Sequence, residues 1–151
     1  MTSLVGKPDD LMRNGPLVAV TLCAPKETES IELPIDTLAE IDTGVLITHI
    51  QEGVATSLGL EPAGKVKITT ATTPEYETYR YRIRLVFPSG HAFEVDALEV
   101  PYMVRPHVRI KCLIGRDVLK YSILTYNGYT NTFSLNFSVK DMWMTGCLGE
   151  G

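Results

Sequence analysis

Two stretches of the chain carry residue types that can do chemistry at a useful spacing. The first is Leu38-Ala39-Glu40-Ile41-Asp42-Thr43-Gly44, where a carboxylate closes a largely apolar run and Thr and Gly follow at once. Read for structure alone this is a turn in which an Asp caps its own backbone, and Asp-Thr-Gly arises by chance in about 3% of chains of this length. The second is Cys112-Leu113-Ile114-Gly115-Arg116-Asp117-Val118-Leu119, an apolar run into Gly followed by an Arg-Asp helix opening, about 70 residues further on. Asp36-Thr37 is followed by Leu38 instead of Gly and reads as a surface turn after Pro34. His49, His91 and His107 have no spacing for a triad or a metal site. Cys23, Cys112 and Cys147 show no CxxC or Cys/His ligand pattern and read as ordinary thiols in a reducing compartment.

The elements that must position these two stretches are mostly strands. Helical periodicity is scarce, whereas runs rich in Val, Ile, Thr and Tyr recur between Gly and Pro signals. Strands are expected at 17–23, at 31–41 with an interruption at Pro34, at 65–70, 78–87, 91–100 and 108–114, and at 121–126 and 132–139 around Asn127-Gly128. An apolar patch covers 45–50. One or two helical turns are expected at 54–60, closed by Gly59, and a short helix at 115–120. About nine short strands with regular turns make an all-β sandwich or barrel.

One hairpin is specified in detail. If Pro88-Ser89-Gly90 is its turn, Phe87 faces His91, Arg84 faces Glu94 and Arg82 faces Asp96, while Leu85 meets Phe93 and Ile83 meets Val95. Opposite charges on one face and apolar pairs on the other are what antiparallel pairing favours. Arg80, Arg82 and Arg84 alternating with Tyr79 and Tyr81 are therefore read as a neutralised solvent face and not as a nucleic-acid strand.

Taken together and in this order, Ile41-Asp42-Thr43-Gly44 and Leu113-Ile114-Gly115-Arg116 resemble the signature of the retropepsin-like aspartic proteases, the single-lobe, retroviral-type group. The segment Val54-Ala55-Thr56-Ser57-Leu58-Gly59-Leu60 is similar to the one that follows the catalytic loop in bacterial members. The resemblance spans roughly residues 17–137. It implies a single-lobe acid-protease β-barrel with one short helix, assembled as a symmetric homodimer. Amide hydrolysis without a metal or a covalent nucleophile needs two carboxyls about 3 Å apart sharing one proton, so that one activates water and the other polarises the carbonyl. The chain offers one good candidate, and the resemblance accordingly implies Asp42 from each of two subunits meeting at a two-fold axis. By the same resemblance Thr43 would lock the two loops across that axis, Gly44 would allow close backbone approach, and Leu113 and Ile114 would form an apolar floor. Gly115 and Arg116 would open the helix. A flap would rise through 65–70 and return through 77–87, its tip at Ala71, Thr72 and Thr73 touching substrate together with Val45. The chain departs from the pattern at Val45 and Leu46, where a small residue and, in retroviral members, an Asp partner for the Arg usually stand. Arg116 is thereby left to Asp117 or to a carboxylate elsewhere.

Composition bounds these readings. The chain has 151 residues, 44% hydrophobic and 21% charged, enough for one folded domain and too apolar for a disordered one. Eighteen acidic against 14 basic residues, a net charge of −4, argue against a nucleic-acid partner. The first residues carry Asp9 and Asp10 and no apolar signal core, and no apolar run is long enough to span a membrane. The expected organisation is a flexible arm at 1–16, a protease domain at 17–139 and a tail at 140–151. The expected protein is cytoplasmic, acts on peptides or proteins as a homodimer, and needs no cofactor. The alternative is a catalytically silent peptide-binding or dimerisation module on the same fold.

Overall fold

The computed structural model describes residues 2–5, 10–69, 74–101, 103–105 and 108–138. In β2 (Leu17–Cys23), Val18, Val20 and Leu22 enter the main core while Ala19 between them is exposed, the period-two pattern of a half-buried strand. The strand β3 (Ile35–Ile41) begins directly after Pro34, which has no N–H for a ladder. Residues 31–33 therefore lie outside it, with Ile31 and Leu33 exposed. The short β4 (His49–Gln51) leads into the helical turn α2 (Val54–Ser57), closed by Gly59 at a φ of 67°, a left-handed angle that favours Gly. Next come β5 (Gly64–Ile68), β6 (Tyr76–Val86) and β7 (Ala92–Val100). The short β8 (Val104–Arg105) pairs with β9 (Val108–Ile114), which runs into α3 (Arg116–Leu119). The hairpin β10 (Ser122–Asn127) and β11 (Thr132–Phe137) completes the order.

Hydrogen bonding follows the order β2-β3-β9-β4-β7-β6, and β6 pairs back onto β2 through Thr21–Val86 and Leu22–Leu85. The chain is mostly β and is built on this closed six-stranded barrel. Closure removes the open edges that a flat sheet of these strands would present. Inside the barrel Leu22, Ile50, Ile83, Leu85 and Ile114 are fully buried. Phe87, Phe93 and Phe137 pack ring against ring, with centroids 4.7–5.8 Å apart, and join the β10–β11 hairpin to the barrel.

The β6–β7 hairpin has the expected register throughout. Arg82 faces Asp96, Arg84 faces Glu94, Leu85 faces Phe93 and Ile83 faces Val95, and the Phe87 N–H donates to the His91 carbonyl across the turn. Arg82 and Asp96 approach to 3.5 Å on the exposed face. Arg84 does not share that exposure. It is only 3% accessible, because closure brings Cys23 of β2 alongside it and the Lys26 N–H donates to Glu94 beyond.

Other expectations are corrected. Within the stretch read as a loose arm, Thr2–Val5 forms β1, paired with β11, and Asp10–Asn14 forms α1, which buries Leu11. Among the described residues α1 is an addition to the helical segments expected at 54–60 and 115–120, where α2 and α3 stand. The last hairpin forms where it was expected, around Asn127-Gly128-Tyr129-Thr130. Asn127 faces Thr132, and the connection 128–131 is held by the Thr130 N–H on Asn127 Oδ1, with Asn131 at a φ of 58°. Cys23 is disulfide-bonded and so is not a free thiol. No helix among the described residues is long and apolar enough to cross a membrane.

Candidate active site at the Asp42 loop

Two parallel strands carry both motifs to the same end of the barrel. β3 and β9 run side by side, Ile41 beside Ile114, so Asp42 and Gly115 leave their strands together. The Asp42 N–H continues the ladder by one step, donating to the Ile114 carbonyl at 3.0 Å. The chain then turns. The Gly44 N–H donates to Asp42 Oδ1 at 2.8 Å, and the Val45 N–H reaches the Asp42 carbonyl at 3.4 Å. This is the local Asx turn that the residue types alone suggest. It leaves Asp42 half-buried, with Thr43 and Gly44 exposed. A Cβ on Gly44 would stand 3.1 Å from Asp42 Oδ1 and crowd the carboxylate.

The second motif grips this loop from beneath. The Arg116 N–H donates to the Val45 carbonyl at 2.9 Å and the Asp117 N–H to the Leu46 carbonyl at 3.1 Å. The Arg116 side chain reaches the other way and donates through Nη1 to the Thr43 carbonyl at 2.8 Å. It thus takes a backbone oxygen where a carboxylate was expected. Asp117 is engaged elsewhere, with Thr48. Gly115 is required by space: a Cβ there would lie 2.8 Å from the Ile47 carbonyl carbon and 2.9 Å from the Thr48 nitrogen, and neither backbone atom can yield cheaply.

The remaining expected residues divide. Ile114 is fully buried in the main core below the loop. Leu113, one residue earlier on the strand, points to the opposite side and is only half-buried, packing beside Leu17, Met103 and Ile110. The two residues expected to share one apolar floor therefore pack into different clusters. Val45 is half-buried and Leu46 is 62% exposed. β5 and β6 pair from Gly64–Arg80 to Ile68–Tyr76 in the place expected for the flap; Ala71, Thr72 and Thr73 lie outside the described residues, as does His107. His49 holds the Ile47 carbonyl through Nδ1 at 2.6 Å and His91 meets Ser89 Oγ at 2.8 Å, so each ring is engaged locally. Cys112 is fully buried, and that burial, reinforced by the Asp117 carboxylate, pushes its thiol pKa far up and keeps it protonated.

Sequence reasoning missed Thr48. It is completely buried, and its hydroxyl donates to Asp117 Oδ1 at 2.7 Å while accepting the Gly115 N–H at 3.1 Å. The available signal was a single hydroxyl within the apolar patch 45–50. No protein-family model matches the chain, and a search of curated proteins finds no match.

Proposed function

We propose that this chain is one half of a homodimeric aspartic endopeptidase of the retropepsin-like kind, in which two Asp42 carboxyls, one per subunit, activate a water against a peptide bond. The observation that carries the reading is the joint placement of the two motifs: Asp42 leaves β3 at the point where Gly115 leaves β9, and its loop is tied to 115–117 at Thr43, Val45 and Leu46. A turn that merely capped itself would not need a second segment fitted so closely that Gly115 has no room for a Cβ. The exposure of Thr43 and Gly44 in the single chain also supports it, since that surface would face the partner.

In this mechanism the paired carboxyls hold one proton between them, because like charges about 3 Å apart do not both ionise. The ionised member takes a proton from water as the oxygen attacks the carbonyl carbon, and the protonated member hydrogen-bonds the carbonyl oxygen as charge develops there. The tetrahedral species collapses when the carboxyl that took the proton from water passes it to the leaving nitrogen and the C–N bond breaks, the carbonyl oxygen giving up its charge as the C=O re-forms. Thr43 would hold the two loops together and Val45 would border the substrate. No cofactor takes part.

The exposed Leu46 beside the loop favours one other reading, a silent module that binds peptides without cutting them. Purified chain and its Asp42→Asn variant, incubated with a peptide library from acidic to neutral pH, separate the two. Cleavage by the parent alone supports the endopeptidase. Equal cleavage by both variants contradicts it, and peptide recovered intact from a tight complex supports the binding module.

A further inference from the structure

We propose that Thr48 and Asp117 are positioning residues for Asp42, a side-chain lock centred on the buried Thr48 that fixes the loop from behind without touching substrate; this rests on the catalytic reading of Asp42 given above. The Thr48 hydroxyl donates to Asp117 Oδ1 at 2.7 Å and accepts the Gly115 N–H at 3.1 Å. The Thr48 N–H donates to Asp117 Oδ2 at 3.1 Å, and Asp117 Oδ1 also takes the Val118 N–H at 3.0 Å. Both carboxylate oxygens are therefore occupied, so Asp117 is held by Thr48 while the guanidinium of its neighbour Arg116 spans to Thr43.

The path to Asp42 is short. Thr48 fixes Gly115; the adjacent Ile114 carbonyl accepts the Asp42 N–H. Thr48 is fully buried, so replacing its hydroxyl by a methyl leaves the buried Gly115 N–H without its partner and takes one donor from the half-buried Asp117 carboxylate. The backbone then has reason to shift at the residue next to the one that holds Asp42. A misplacement of about 1 Å in a reacting group costs on the order of 100-fold in rate. A lock that served stability alone would lower the unfolding temperature and leave turnover per folded molecule unchanged.

The full chain carrying Thr48→Val, Thr48→Ser or Asp117→Asn tests this, assayed on a cleavable peptide well below each variant's unfolding temperature. Thr48→Val and Asp117→Asn are expected to lower kcat about 10- to 100-fold with KM within about twofold, and Thr48→Ser, which keeps the oxygen, to stay within about threefold of the parent. A Thr48→Val chain that is less stable yet turns over like the parent overturns the proposal. If Thr48→Val does not fold, Asp117→Asn carries the same comparison, because it keeps one acceptor and puts an amide donor against the Thr48 N–H. If the parent cleaves nothing, the catalytic reading fails by itself, and the lock is read from backbone amide spectra instead. Thr48→Val should then displace the Asp42 and Gly44 signals and spare those of the β6–β7 hairpin. Unmoved Asp42 and Gly44 signals overturn it.

Discussion

At the scale of single residues, the loop depends on what has no side chain and on what has one hydroxyl. Gly115 sits against Ile47 and Thr48 backbone at less than 3 Å from where a Cβ would stand. Gly115→Ala should therefore destabilise the fold by about 1–3 kcal/mol, measured by urea unfolding, because the clash falls on main chain. A loss of under about 0.5 kcal/mol would mean that the loop is not clamped as described. Glu99 provides a pH prediction. Burial, then the Glu52 carboxylate, raise its pKa above the ordinary 4.5 against a smaller lowering by the Gly53 N–H. The folded chain therefore binds this proton more tightly than the unfolded one. The contribution is fully present below pH 4.5 and is lost as pH climbs through the raised value. Glu99→Gln should flatten this part of the stability profile, so that the variant gains on the parent between acidic and neutral pH. A constant difference across that range would contradict the assignment.

At the scale of elements, strands whose two faces differ were legible and their closure was not. β2 and β9 match their sequence patterns end to end, and the β6–β7 register follows from its charge and apolar pairs. The return of β6 onto β2 leaves no comparable mark, since it pairs a few backbone positions far apart in the chain. That closure is why Arg84 is buried although Arg80 and Arg82 on the same face are not. β1 was illegible for a related reason: Thr2–Val5 is too short to show a period, and β11 supplies its ladder. In the site, Asp42 and Gly115 were readable from motif spacing. Thr48 was hidden, because its value lies in two partners nearly 70 positions away. Leu135, fully buried in the β11 core face, should cost about 2–5 kcal/mol when replaced by Ala, whereas Ile123→Ser on the exposed face of β10 should change stability by under about 1 kcal/mol. Thermal unfolding of the two variants distinguishes this packing from one in which the hairpin is only loosely attached.

At the scale of the whole molecule, a barrel that presents one Asp-Thr-Gly loop is catalytically incomplete under the proposed chemistry. Activity should fall more steeply than protein concentration on dilution, as paired subunits separate, and its pH profile should be bell-shaped because only the singly protonated pair works. The most direct measurement mixes parent and Asp42→Asn chains in equal amounts, at a fixed total concentration high enough for subunits to pair and after time for exchange. If each site draws one Asp42 from each subunit, only parent–parent pairs cut, and activity settles near about one quarter of that of undiluted parent. Activity at about one half would show that each chain carries a complete site of its own, and would contradict the shared dyad.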